Sequence, residues 1–161
     1  MKVSRGLLKG RLVMRAIPGV VLVCVVLGGC YYTRNDTDFH RAMRRRDFAK
    51  AEAMVERSPR VVDNKGQHGQ TALFQSIGKY DPEAFEWLLA KGANVNARDR
   101  WKRTPLHTAV MEGRADMVER LIRDGAGVNA KDYKGRTPLY FARIYNREEI
   151  LGVLRKAGAT E

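Results

Sequence analysis

The sequence predicts an all-α solenoid of about four helix-turn-helix units with short hairpin-like loops, the first and last units acting as caps. Two observations carry this expectation. The run Thr104-Pro105-Leu106-His107-Thr108-Ala109 returns as Thr137-Pro138-Leu139-Tyr140-Phe141-Ala142, and in weaker form as Thr71-Ala72-Leu73-Phe74-Gln75-Ser76. The period is 137 − 104 = 33 and 104 − 71 = 33 residues. Such a fixed period marks a repeat array, in which each unit buries its apolar face only against a neighbour. Within each period, moreover, apolar residues recur at helical spacing in two short runs.

The chain has 161 residues and a net charge of +12. Five of its basic residues, Lys2, Arg5, Lys9, Arg11 and Arg15, precede residue 30, where no acid occurs; the remainder balances at 25 − 18 = +7. Cys24 and Cys30 are the only cysteines, which excludes a disulfide framework as the organising device. The front end reads as an address: a basic head, an apolar run from Ala16 to Leu27, then Gly28-Gly29-Cys30. The run Leu27-Gly28-Gly29-Cys30 resembles the lipobox of bacterial lipoproteins. The resemblance implies a signal peptide over 1–29, cleavage before Cys30, and a diacylglycerol on its sulfur. An uncleaved anchor would need roughly 18–20 apolar residues, more than this run supplies, and Pro18-Gly19 interrupts it. Tyr31, rather than Asp, after the cysteine resembles the outer-membrane class, so the expected location is the periplasmic side of the cell envelope. Residues 30–36 would then be a lipidated cysteine and a polar tether, reaching roughly 20 Å when extended.

The array is expected over 37–161, as units 37–65, 66–98, 99–131 and 132–161. In the first, Phe39, Ala42 and Met43 make one helical stripe, and Phe48, Ala51, Met54 and Val55 another. Arg45-Arg46-Asp47 break the pair, and a 67-residue offset to the third unit places one extra residue near Asn64 to His68. In the second, a helix from Ala72 to about Lys79 precedes Asp81-Pro82, a cap and first-turn proline for another helix carrying Phe85, Leu88 and Leu89. Gly92 stops it. In the third, Pro105 opens a helix facing Leu106, Ala109 and Val110 inward, Gly113 ends it, and Met117, Val118, Leu121 and Ile122 supply the next, which Gly125 ends. In the fourth, Arg143 and Arg155 stand where earlier units have Ile77 and Val110, and Leu89 and Ile122. Charge there predicts a wetted terminal face closing the array.

With the T-P-L-H-T-A run and the recurring G-A-x-V-N-A runs, the chain resembles the ankyrin repeat. The resemblance implies binding of another protein through loop tips and the exposed side of each first helix. Carried over residue by residue, the binding set is Arg100, Trp101, Lys102, Arg103, Met111 and Glu112, then Tyr133, Lys134, Arg136, Phe141, Ile144 and Tyr145. Trp101 either meets a partner or folds against Tyr133. Lys102 stands where the family places glycine, as Gly69 and Gly135 do, so its loop could be tightened or redirected. His107 belongs to the motif and is expected to hold its own turn by hydrogen bonds.

No catalytic residue is expected, because no carboxylate or thiol stands at catalytic spacing from His107. Scattered histidines (His40, His68, His107) make no metal site, and neither a cofactor nor a small-molecule substrate is expected. Arg44-Arg45-Arg46 reads as a solvated face rather than a nucleic-acid site. The expected partners are the membrane, through lipid on Cys30, and another protein. That protein is either an envelope component or a secreted effector such as a lipase, since ankyrin-bearing lipoproteins resemble some immunity proteins.

Overall fold

A computed structural model describes residues 34–160 of the chain. The expected leader, Cys24, the expected lipidation site Cys30 and the first part of the tether lie outside the described residues. Four helix pairs follow in order: α1 (Arg34–Arg44) with α2 (Phe48–Arg57), α3 (Ala72–Lys79) with α4 (Pro82–Ala90), α5 (Pro105–Glu112) with α6 (Ala115–Arg123), and α7 (Pro138–Ile144) with α8 (Glu148–Lys156). No strand occurs among the described residues. Along the inner row α3 packs on α5 and α5 on α7, and in the outer row α6 packs on α8.

The core is the period made solid. Phe39, Leu73, Leu106 and Leu139 occupy equivalent inner-helix places, and Phe85, Val118 and Leu151, with Leu88, Leu121 and Leu154, occupy the outer ones; all are buried. Each such column is dry only because the next unit covers it, so apolar burial, at about 25 cal/mol per Å², couples neighbouring units rather than stabilising any one alone. Arg143 and Arg155 are exposed where Val110 is buried and Ile122 half-buried.

Within each pair, one residue at the same place bends the chain left-handed: Arg46 (φ 58°), Tyr80 (φ 51°), Gly113 (φ 70°) and Asn146 (φ 53°). Glycine enters that region without cost, yet three units adopt it with a side chain, so packing of the pair overrides local preference there. Asp81 caps α4 as expected, its Oδ1 accepting the Ala84 N–H at 3.1 Å.

Units are also clamped by the asparagine of the V-N-A runs. Asn96 Oδ1 accepts the Gly127 N–H at 2.9 Å, and its Nδ2 donates to the Gly125 carbonyl at 3.0 Å. Asn129 repeats both bonds one period later, to the Thr160 N–H at 2.8 Å and the Gly158 carbonyl at 3.1 Å. Asp63 holds this place in the first unit and accepts the Asn94 N–H at 2.8 Å.

Two expectations for the first unit are corrected. Helix α1 begins at Arg34, so the last residues of the expected tether are helical. The extra residue does not lie near Asn64 to His68. Asp63 is already in the register of Asn96 and Asn129, whereas Met54 keeps the longer offset, and α2 spans 10 residues where α6 spans 9. The additional residue is absorbed at the end of α2. A 3-10 helix, Pro59–Asp63, follows and buries Val61 and Val62 under the cap.

Candidate functional site

The loops that precede the inner helices are built around a buried carboxylate. Asp99 Oδ1 accepts the N–H groups of Trp101 and Arg103, both at 2.9 Å, while Oδ2 receives the Arg103 Nε at 2.9 Å and Nη2 at 2.8 Å. Asp132 repeats the arrangement with Lys134 N–H at 2.8 Å, Arg136 N–H and Nε at 2.9 Å, and Nη2 at 2.7 Å. Burial alone would raise the Asp132 carboxyl, but the Arg136 side chain and the two backbone N–H groups outweigh it and hold the group below the usual carboxylate range. In the second unit Gly66 and Gln70 occupy these places, and the backbone bonds from Gly66 N–H to the Gln70 carbonyl, 2.8 Å, and from Gly69 N–H to the Gly66 carbonyl, 3.2 Å, remain without the carboxylate. Adjacent loops are tied to one another, Arg100 N–H to the His68 carbonyl and Tyr133 N–H to the Trp101 carbonyl, each at 3.0 Å.

Lys102 does not redirect its loop. Its φ of 59° matches those of Gly69 (72°) and Gly135 (77°), so the turn is kept and the lysine carries the local strain. Trp101 is half-buried. Its ring lies 5.6 Å from that of His68, and the guanidinium carbons of Arg100 and Arg103 stand 4.0 and 4.4 Å from its centroid. The ring packing therefore runs back onto the second unit, and Tyr133 bonds Trp101 through the backbone.

His107 is fully buried. Its Nδ1 accepts the Thr104 N–H at 3.1 Å and lies 2.9 Å from Thr104 Oγ1, which leaves the proton on Nε2 to donate to the Arg136 carbonyl at 3.2 Å. The histidine thus holds its own turn and also ties the third unit to the fourth. Burial pushes its pKa below the ordinary 6.5, against smaller opposing effects of the Arg136 carbonyl and Asp132. An imidazole kept neutral, with both nitrogens engaged, has no free group to act as acid or base.

The residues expected to bind divide into three groups. Arg103 and Arg136 are committed to Asp99 and Asp132, so they shape the loops. Phe141 is a correction: it is buried, edge-on to His107 at 5.9 Å and stacked on Tyr145 at 6.4 Å, with the Arg136 guanidinium 4.7 Å above it. The aromatic ring fills space that polar Gln75 and Thr108 leave to solvent in earlier units. Tyr133, Ile144 and Tyr145 are exposed, as are Arg100, Lys102, Glu112 and Lys134, while Met111 is half-buried.

Part of this set opens onto a groove of about 400 Å³ along the inner row. Its walls include Arg103, Thr108, Met111 and Glu112, together with Arg44, Gln75 and Lys79, which motif-based reading missed. A signal was present: Arg44 stands 67 residues before Met111, and Gln75 and Lys79 stand 33 before Thr108 and Glu112. Among the described residues no group of His, Cys, Asp and Glu is placed to hold a metal ion, and no helix is long and apolar enough to cross a membrane.

Residues 77–160, half of the chain, match the family model for ankyrin repeats (3 copies), and the chain belongs to that family. Among curated proteins, it is 30% identical over 77 residues to the NAD-capped RNA hydrolase NUDT12 of Homo sapiens, and equally to that of Macaca fascicularis. These matches cover 48% of this chain but only 17% of the relative. It is also 45% identical over 49 residues to the 2-5A-dependent ribonuclease of Mus musculus, 30% of this chain and 7% of that protein. The chain therefore spans a small part of the relatives it matches, and what it shares with them is the repeat. Ankyrin repeats typically mediate protein–protein interaction, and the repeat domain is a non-catalytic fold.

Proposed function

We propose that this chain is a lipid-anchored binding module that holds another protein at the periplasmic face of a bacterial envelope. One observation carries the binding reading. Gln75, Lys79, Thr108, Met111 and Glu112 line an open groove at places the fold does not fill, while Ile144 and Tyr145, which match Met111 and Glu112 in the fourth unit, stand exposed. Exposed apolar and aromatic side chains next to arginine have the composition of interface anchors. The anchoring reading rests on the Leu27-Gly28-Gly29-Cys30 run. Lipid on one cysteine brings more than one acyl chain, and each buried methylene contributes about 0.8 kcal/mol to membrane attachment.

The test is a pull-down from envelope extract, using the wild-type chain and a Met111→Ala, Tyr133→Ala, Tyr145→Ala variant as baits. The variant is expected to keep its helical circular dichroism and lose the partner, and equal recovery by both would mean that another face binds. Recovery of a secreted hydrolase that is toxic to cells lacking this chain would identify the module as its inhibitor. Intact mass from native cells tests the anchor, which predicts a diacylglycerol adduct on Cys30 and no leader.

A further inference from the structure

In the second to fourth units acids are concentrated on the outer helices. Each outer helix carries two acids: Glu52 and Glu56 on α2, Glu83 and Glu86 on α4, Asp116 and Glu119 on α6, Glu148 and Glu149 on α8. Helices α3, α5 and α7 together carry one, Glu112, while the inner helix of the cap, α1, carries Asp36 and Asp38. Several outer acids are neutralised within the stack, Glu83 by Arg46, Glu86 by Arg120, and Glu52 by Lys91 at 2.6 Å. On the inner helices Arg41 is paired with Asp38 at 3.0 Å, but two other cations are not paired in this way. Arg44 and Lys79 line the groove, and among the described residues neither has a carboxylate within salt-bridge distance; Arg44 reaches only the Gln75 amide, at 3.5 Å. Half-buried Met111 gives the groove an apolar contact, and Glu112 is the one carboxylate among its lining residues.

We propose that the groove takes an acidic segment of a partner protein, with carboxylates set against Arg44 and Lys79 and an apolar side chain on Met111. The proposal rests on the binding reading above and adds the chemistry of its partner. Charge complementarity of this kind steers encounter and fixes register, and at physiological salt it acts within about 8 Å. A single nucleic-acid strand suits the site less well, because such sites stack bases on open aromatic faces: of the rings lining the groove, Phe74 is buried and His68 is set against Trp101, which is itself covered by Arg100 and Arg103. A bilayer surface is flat and does not enter a recess.

The experiment titrates the full chain, in detergent micelles, with a short labelled peptide alternating Glu and Leu. The same peptide with Gln for Glu, an oligothymidylate and phosphatidylglycerol vesicles serve as comparisons. Two variants of equal net charge are compared, Arg44→Gln with Lys79→Gln in the groove, and Arg57→Gln with Arg123→Gln on the exposed ends of α2 and α6. The Glu–Leu peptide is expected to bind roughly tenfold more weakly to the groove variant and within about twofold of wild type to the outer one, as two exposed charge pairs imply. Equal weakening of both variants, failure of the Glu–Leu peptide to bind, or binding by its Gln counterpart just as tightly would overturn the proposal. So would tighter, groove-dependent binding of the oligonucleotide or the vesicles. If the peptide fails while envelope capture still depends on Met111, Tyr133 and Tyr145, only the acidic chemistry falls; loss of both removes the groove reading too.

Discussion

Lys102 holds a backbone conformation that costs an L-residue roughly 1–2 kcal/mol relative to glycine, and its side chain is exposed with no carboxylate partner among the described residues. Lys102→Gly should therefore raise stability by up to about 1 kcal/mol, since glycine's greater freedom in the unfolded chain offsets part of the relief; urea unfolding measures it. His107 gives a pH signature. Its folded-state pKa lies below the ordinary value, so on acidification the unfolded chain takes up the proton first. Stability is fully present above pH 6.5 and is lost as pH falls below it toward the depressed folded value. Melting between pH 7.5 and 5.5 should show a loss that is smaller in a His107→Gln variant. The repeat made His107 legible because its place recurs as His40 and, with a change of type, as Tyr140. It did not reveal Asp99 and Asp132, because Gly66 and Gln70 break that pattern in the second unit. Nor did it reveal that Phe141 is buried, because Gln75 and Thr108 made that place look polar.

At the scale of the element, a helix pair persists only while its neighbour covers it. Leu106 is fully buried on α5, which packs against α3 on one side and α7 on the other. Leu106→Ala should cost roughly 2–5 kcal/mol, read by urea unfolding. Helix starts were legible, because threonine before proline and Asp81 before Pro82 are physical signals at fixed places. The end of α2 was not. It carries no glycine, and between Val55 and Gly69 no residue marks the period strongly enough to say where an extra residue sits. Only the Asp63 bond to Asn94 fixes it. The 3-10 helix that follows had no counterpart in the other units to reveal it.

Across the whole array, stacking columns of buried residues leave one row of inner helices with side chains that no neighbour uses. In that row Arg44 and Lys79 line a recess beside Met111 with no carboxylate within salt-bridge distance among the described residues. The period alone told that such a surface exists, since what does not stack must face water. It did not tell which part is recessed, because the recess needs Arg44 of the cap and Lys79 of the second unit beside Met111 of the third. The most direct test places a photo-reactive benzoylphenylalanine at Met111 in the groove, or at exposed Glu119 on the outer helix α6, in the chain expressed in its own cells. Irradiation should give a covalent adduct with a second protein from position 111 and none from position 119. An adduct formed only from position 119 would contradict the account.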